Sequence, residues 1–193
     1  GADRDRVILN IGGIANVTIL RADGAPVIGF DTGPGNTLLD RWIHRHRKRP
    51  FDRNGAWAAS GSCIGELLEE LLSFGYFRLE PPKSTGLEDF NLDWLLQYEI
   101  AAYAPADVQA TLSELTARSI AEAVQHHAPG AAELFVCGGG AYNADLLRRL
   151  GRNLPETLIG STADVGLDPE WVESVAFAWL AMRAINNETG NLP

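Results

Sequence analysis

The sequence is poor in cysteine, in histidine and in long apolar runs, and each shortage excludes a class of protein. Cys63 and Cys137 lie far apart and match no metal-ligand spacing, so neither a disulfide scaffold nor a cysteine-based zinc site is expected. No apolar stretch reaches the ~18 residues that indicate a membrane span. We therefore expect a reduced, cytoplasmic protein. The histidines also show no metal-ligand spacing with acidic residues or cysteines: His44, His46, His126 and His127.

Basic residues are also scarce, with 16 Lys and Arg against 25 Asp and Glu and a net charge of −9. A protein that binds duplex nucleic acid is usually basic, so no nucleic-acid partner is expected. The 193 residues suffice for one sizeable domain and are too few for two comfortable ones.

The apolar periodicity predicts strands first and then alternating helices and strands. Such an order is typical of an α/β fold, here with a mixed sheet that opens as an antiparallel meander and is flanked by helices. The last helix is rich in alanine and aromatic residues and is predicted to be buried. The predicted strands are 7–11, 16–20, 27–30, 134–137 and 157–159, and the predicted helices are 37–46, 63–72, 90–98, 107–126, 143–150 and 169–186.

A first glycine turn, Gly12-Gly13, joins the first two predicted strands and is flanked by Asn10 and Asn16. Unhindered glycine amides can bind an anion such as a phosphate, and the asparagines can orient a ligand. A plain tight hairpin accounts for the same residues, since Gly-Gly is common there. Both interpretations stay open on the local sequence.

A second turn holds Asp31, Thr32 and Asn36 at the predicted end of the third strand. A carboxylate at such a position is a candidate general base, and its two neighbours can donate hydrogen bonds to a ligand. Asp31 as a turn former or helix N-cap is the alternative. Because Asn36 suits the N-cap of the following helix better, Asp31 is expected to be free for chemistry.

Two further motifs have both a ligand-binding and a structural interpretation. Gly138, Gly139 and Gly140 lie between a strand and a helix, where they leave room for adenine or ribose or allow close helix–strand packing. Glu173, near the start of an apolar helix, is either a ligand-facing carboxylate or a residue that stabilises the helix dipole.

The loop Pro82–Gly86 does not follow the order of a Walker A motif. Lys83 and Ser84 are candidates for contact with a sugar or phosphate, and a solvated loop is the alternative.

Seven collinear segments resemble the anhydro-N-acetylmuramic acid kinase family, and together they span nearly the whole chain. Their order and spacing are far more specific than any one motif. They are LNIGGIANVT (9–18), GFDTGPGN (29–36), FDRNGAWAASG (51–61), PPKSTG-EDFN (81–91, with Leu87 at the dash), DVQATLSELTA (107–117), VCGGGAYN (136–143) and WVESVAFAWLA (171–181).

The resemblance implies an actin/hexokinase-like (ribonuclease H-like) ATPase fold of two α/β domains with the active site between them. It implies use of ATP and Mg²⁺, hydrolytic opening of 1,6-anhydro-N-acetylmuramic acid, and phosphorylation of O6 in cell-wall recycling. It also implies a homodimer. Another sugar or acetate kinase of this fold, or a non-catalytic nucleotide-binding module, is the alternative.

The resemblance also implies roles for single residues. Asp31 matches the catalytic base, and three residues would face the sugar: Thr32, Asn36 and Glu173. The remaining matches would contact the nucleotide: Asn10, Gly12, Gly13, Asn16, Gly138, Gly139, Gly140 and Asn143. No side chain is assigned as a metal ligand.

The chain departs from the family in length, since family members are about twice as long and begin with a GTSxDGxD-type phosphate loop that is absent here. Residues 1–193 are therefore expected to form the C-terminal domain alone, without kinase activity of its own.

Overall fold

The computed structural model describes residues 4–190, which contain a five-stranded mixed sheet in the order β3-β2-β1-β4-β5. β1, β2 and β3 form the expected antiparallel meander, and β4 and β5 extend the sheet in parallel with β1. The predicted fold class is confirmed. The strands are β1 (Arg6–Ile11), β2 (Ile14–Leu20), β3 (Ile28–Pro34), β4 (Glu133–Cys137) and β5 (Leu158–Ser161).

The six α-helices of the described residues lie close to the predicted ones, and short 3₁₀ turns occur between them. No helix between residues 4 and 190 is long and apolar enough to cross a membrane. The helices are α1 (Thr37–Arg47), α2 (Gly65–Leu72), α3 (Leu92–Leu95), α4 (Pro105–His127), α5 (Ala144–Asn153) and α6 (Val172–Ile185).

The two faces of the sheet differ because side chains alternate along each strand. In β1, Val7, Leu9 and Ile11 are buried, whereas the residues between them are partly exposed. The buried face packs against α4 and α5 through apolar side chains that include Ile120 and Leu146. This face of the sheet forms the core of the domain.

A second apolar cluster joins α1, α2 and α3 to the first half of α4. Phe90 is its fully buried centre, with its ring 5.7 Å from that of Phe74 and 5.2 Å from that of Trp94. The long segment between β3 and α4 is thereby folded onto the sheet domain.

β3 is longer than predicted, and this corrects the place of Asp31. The strand continues to Pro34, so Asp31 lies in its middle and the expectation that it ends the strand was wrong. β3 is an edge strand, where a proline is tolerated at the end because no neighbour needs its missing N–H. The β2–β3 register also shifts between Ala15 and Asn16.

The prediction that the last helix is buried was wrong. No residue of α6 is buried, and Phe177 and Ile185 are 70% and 80% exposed. Apolar composition indicates a surface that is covered in the finished protein, but it does not identify the element that covers it.

Candidate functional site

A row of side chains crosses the sheet from the middle of β3 to the carboxyl ends of β1 and β4. The strand register pairs Asp31 with Asn16, Asn16 with Asn10, and Asn10 with Cys137. Paired residues on neighbouring strands point to the same face, here the face opposite α4 and α5. We call these four residues the polar row. Three of the residues predicted for function are thus neighbours in space.

Asp31 is braced by a segment about fifty residues later in the chain. The Thr85 amide donates to Asp31 Oδ2 at 3.0 Å, and the Asp31 amide donates to the Lys83 carbonyl at 3.2 Å. The Tyr76 hydroxyl donates to the Asp31 carbonyl at 2.8 Å. These bonds orient the carboxylate, as a general base requires. The loop Pro82–Gly86 is therefore packed against the candidate base, which its sequence did not indicate.

The charges around this segment have identifiable causes. Burial raises the pKa of Tyr76, with further contributions from the carboxylates of Asp31 and Asp89, so its hydroxyl remains a donor at neutral pH. Burial lowers the pKa of Lys83. The Lys83 Nζ lies 5.0 Å from the centre of the Tyr76 ring, close enough for a cation–π contact.

The Gly12-Gly13 hairpin and the start of α1 form one unit. The amides of Asn36 and Gly35 donate to the carbonyls of Gly12 and Gly13 at 2.8 and 2.9 Å, and the Thr37 amide donates to the Gly13 carbonyl at 3.1 Å. A side chain at Gly35 would overlap the Gly12 carbonyl. The first amides of α1 are thus bonded to the hairpin. Asn36 occupies the N-cap position without a capping hydrogen bond from its side chain.

The third glycine segment lies against the end of β1. A side chain at Gly138, which has φ +76°, would overlap Asn10 Oδ1, and one at Gly140 would overlap Ile11. Close packing therefore requires these two glycines. A Cβ added at Gly139 would have one neighbouring atom within contact distance, Asn36 Nδ2 at 3.8 Å, and would overlap nothing. Gly139 is thus the glycine with room beside it.

A cavity of about 420 Å³ opens beside Gly139, a volume within the range of small-ligand sites. Asn36 lines it and also donates from Nδ2 to the Ile11 carbonyl at 3.1 Å, so one side chain joins β1 to the cavity. The other lining residues include Asp40, Phe51, Tyr142 and Asn143.

Asp40 is a cavity residue that the sequence reasoning missed. Its pKa is raised to about 6, first by burial and second by the charge of Asp52. Asp52 itself accepts hydrogen bonds from the amides of Trp57 and Ala58, both at 2.9 Å. An acid in the first turn of α1 was the available signal, but it resembles an ordinary helix-dipole residue.

Two other predicted site residues have structural contacts, and a third is exposed. The buried Thr32 hydroxyl donates to the Ala15 carbonyl at 3.2 Å, and Asn143 Oδ1 caps α5 by accepting from the Leu146 amide at 3.1 Å. Glu173 is exposed on α6. Its charge adds to the effect of burial in raising the pKa of Cys137, which places it near the β4 end of the polar row.

The mixed sheet, with its glycine segments and the cavity beside Gly139, has an actin/hexokinase-like fold. A solved structure with this fold is the activator of the 2-hydroxyisocaproyl-CoA dehydratase from Clostridium difficile with bound ADPNP, at a TM-score of 0.53 and 16% identity. The alignment covers 97% of this chain and 65% of the activator, and it shows the fold alone.

The sequence comparison identifies the family. The model of the family described as anhydro-N-acetylmuramic acid kinase matches residues 2–193, and the chain belongs to this family. It is 52% identical to the anhydro-N-acetylmuramic acid kinase of Thiobacillus denitrificans, over 97% of this chain and 51% of that protein. It is 51% identical to that of Xanthomonas campestris, over 100% of this chain and 51% of that protein. The chain thus spans about half the length of these relatives.

Proposed function

We propose that this chain forms one wall of the active site of a kinase that opens 1,6-anhydro-N-acetylmuramic acid and phosphorylates its O6. The observation that carries the proposal is that Asp31 begins the polar row whose other end leads into the glycine segment 138–140, in a chain of this family. The product would be N-acetylmuramic acid 6-phosphate, as cell-wall recycling by a cytoplasmic enzyme requires.

In this proposal Asp31 is the general base for water. It takes a proton from the water that attacks the anomeric carbon, the bond from that carbon to O6 breaks, and a hydroxyl forms at C1. The released O6 attacks the γ-phosphate of ATP, and ADP leaves. The Thr85 amide, which donates to Asp31 Oδ2, holds the carboxylate in one orientation for the proton transfer.

The nucleotide would occupy the opposite end of the row from Asp31. We assign adenosine to the cavity beside Gly139 and Asn143, and the phosphates to the segment of Gly12 and Gly13. The room beside Gly139 and the cavity volume support the assignment. Mg²⁺ bound with the phosphates would supply charge neutralisation. Asn10 and Asn16 lie between the two ends.

The sugar would lie near Asp31, with Thr32, Asn36 and Glu173 as further proposed contacts. Asn36 also borders the cavity, which supports a proposed contact with the nucleotide as well as with the sugar. Since the Thr32 hydroxyl hydrogen is donated to Ala15, its contribution would be through its oxygen or through its hold on β3.

We further propose that residues 1–193 are the C-terminal domain and that α6 packs against the other half of the protein. α6 exposes large apolar side chains, and such patches mark interaction surfaces. They include Val175, Phe177, Trp179 and Met182. Relatives are about twice as long, so a partner of suitable size is available within one polypeptide. A second copy in a homodimer is the competing occupant.

The reaction is tested with the full-length protein, ATP, Mg²⁺ and the anhydro sugar in H₂¹⁸O. We expect one ¹⁸O at C1 of the product and none in the phosphate, because water attacks carbon and O6 attacks phosphorus. Label in the phosphate, or no turnover by the full-length protein, would overturn the proposal. The 193-residue chain alone is expected to be inactive, and robust turnover by it would contradict the two-domain proposal.

The role of α6 is tested with Phe177→Lys, compared with Val165→Lys at a similarly exposed apolar residue outside α6. In the full-length protein we expect Phe177→Lys to lower the melting temperature while Val165→Lys does not, because only Phe177 would be covered there. Equal effects of the two changes would argue against the proposed contact. A dimer of the 193-residue chain that Phe177→Lys dissociates would assign the face to a second copy.

A further inference from the structure

Glu80, His126 and His127 form a cluster of potential metal ligands between the end of α4 and the segment that precedes Lys83. One ligand atom from each residue lies within 4.8 Å of the other two. The His126 Nε2 is 3.6 Å from Glu80 Oε1, and the His127 Nε2 is 4.0 Å from Glu80 Oε2. The sequence spacing did not reveal this cluster, because Glu80 is brought to the histidines by the tertiary fold.

Two of the three ligand-atom separations approach those around a bound ion. Zinc lies about 2.0–2.2 Å from nitrogen and oxygen ligands, so the ligand atoms of a tetrahedral site are about 3.4 Å apart. The separations of 3.6 and 4.0 Å end on different oxygens of the Glu80 carboxylate, and all three ligand atoms lie within 4.8 Å of one another, so the side chains must move inward to reach this spacing. The side chains of Glu80 and His126 are 73% and 68% exposed, so they can close on an ion without disturbing the core.

His127 is held in place for such a role. Its side chain is only 16% exposed, its ring centre lies 4.9 Å from that of Phe30 in a T-shaped contact, and its carbonyl accepts a hydrogen bond from Arg21 at 2.7 Å. Burial lowers the pKa of His127, followed by the charge of His126, while Glu80 acts in the opposite direction. A neutral imidazole is the form that binds metals.

The donor set selects the class of ion. Two imidazoles and one carboxylate are zinc-type ligands with room for a water, whereas Mg²⁺ prefers oxygen ligands alone. Lys83 and Arg21 also act on His127, and both are cations. They oppose a bound divalent ion, so the affinity is expected to be lower than that of a closed structural zinc site.

We propose that Glu80, His126 and His127 bind a divalent transition-metal ion of the zinc class. The ion ties the end of α4 to the segment that leads into Lys83. The Lys83 carbonyl accepts a hydrogen bond from the Asp31 amide. Binding would therefore stiffen the segment that braces Asp31. The metal site stands on its own geometry and does not depend on the proposed kinase reaction.

The test is calorimetric titration of ZnCl₂ into the tag-free 193-residue chain, with Cys63→Ser as the background because Cys63 is an exposed thiol. We expect one ion per chain. Glu80→Gln and His126→Gln should each weaken binding by at least about tenfold, because even the loss of a group that only orients a metal ligand costs that much. His44→Gln, an exposed histidine on α1, is the matched control and should leave the affinity unchanged.

Thermal unfolding with ZnCl₂ gives an independent readout, because an ion that binds the folded state raises the melting temperature. We expect a rise for the background chain and for His44→Gln, a much smaller rise for Glu80→Gln, and none with MgCl₂ alone. The proposal is overturned by a chain that binds no zinc. It is equally overturned by affinities that Glu80→Gln and His126→Gln leave unchanged, or by an equal loss in His44→Gln.

Discussion

The two faces of the sheet show how one set of strands serves stability on one side and chemistry on the other. One face carries Val7, Leu9 and Ile11 of β1 and is fully buried under α4 and α5. The other carries the polar row, in which Asn10 of the same strand lies beside Asn16 and near Asp31. Residues one position apart in β1 therefore have different environments.

This difference shows that burial, and not residue type alone, decides what a substitution costs. A change on the packed face leaves a cavity that the surrounding core cannot fill completely. A change at Asp31, Asn16 or Asn10 removes a partly exposed polar group that contributes less to packing. We therefore expect stability to respond on one face and activity on the other.

Asp31→Asn is expected to have the largest effect on activity. In the full-length protein it should lower kcat by about 10²- to 10⁴-fold, the usual contribution of a general base. Its hydrogen bond with the Thr85 amide can persist through the amide oxygen, so the melting temperature and ATP binding should change little. Steady-state kinetics and calorimetry measure the three quantities. An active variant would remove Asp31 from the role of base.

Leu9→Ala, compared with Ile8→Ala, tests the packed face directly. Leu9 is fully buried, so its truncation should lower the free energy of unfolding by about 3 kcal/mol, within the range for buried leucines. Ile8 lies on the other face of the sheet and is already partly exposed. Its truncation should therefore lower the free energy of unfolding by only about 1 kcal/mol. Urea denaturation of both variants measures the difference. Equal losses would contradict the distinction between the faces.

Thr116→Val tests how the end of β3 is held on α4. The buried Thr116 hydroxyl is 3.0 and 3.1 Å from the carbonyls of Pro34 and Gly35. Valine has a similar shape but no donor, so we expect a loss of about 1–2 kcal/mol in the free energy of unfolding. Ser119→Ala is the control, because Ser119 donates to a carbonyl of its own helix and should cost less. A Ser119→Ala loss as large as that of Thr116→Val would refute this account.

Asp40→Asn should have the smallest effect, and one that depends on pH. The folded-state pKa of Asp40 is about 6 against an ordinary 3.8, so its ionisation disfavours the folded state. The stability that protonated Asp40 contributes to the wild-type protein is fully present below pH 4, and it is lost as the pH rises through about 6. Asp40→Asn should therefore be more stable at pH 7.5 by about 1 kcal/mol after allowance for solvent screening.

Denaturant unfolding at pH 4 and pH 7.5 measures this difference, which should nearly vanish at the lower pH. Asp52→Asn would not isolate the charge effect on Asp40, because Asp52 also accepts hydrogen bonds from the amides of Trp57 and Ala58. A stability difference of equal size at both pH values would show that ionisation of Asp40 is not its cause.

Much of the local structure was predictable from the sequence. The apolar alternation in residues 7–11 and 16–20 predicts strands because one face of a sheet must be buried, and both strands are present. The periodicity of residues 107–126 predicts α4 in the same way. The glycine segments mark close backbone approaches, and Gly138 and Gly140 indeed lie against β1.

Other features depended on contacts between distant parts of the chain. The strand prediction ended at Phe30 because Gly33 and Pro34 interrupt the local pattern, although pairing with β2 continues the strand past Asp31. Lys83 and Thr85 reach Asp31 only through the fold. The cavity at Asp40 likewise joins α1 to residues near Gly139.

The sequence by itself determined the fold class, the glycine positions and the membership of the family, because apolar period, turn residues and collinear motifs are local properties. The tertiary structure alone decided that Asp31 lies within a strand, that Asp40 borders a cavity and that α6 is uncovered. It also brought Glu80 to His126 and His127. Burial and proximity depend on which distant segment packs nearby, and no local pattern contains that information.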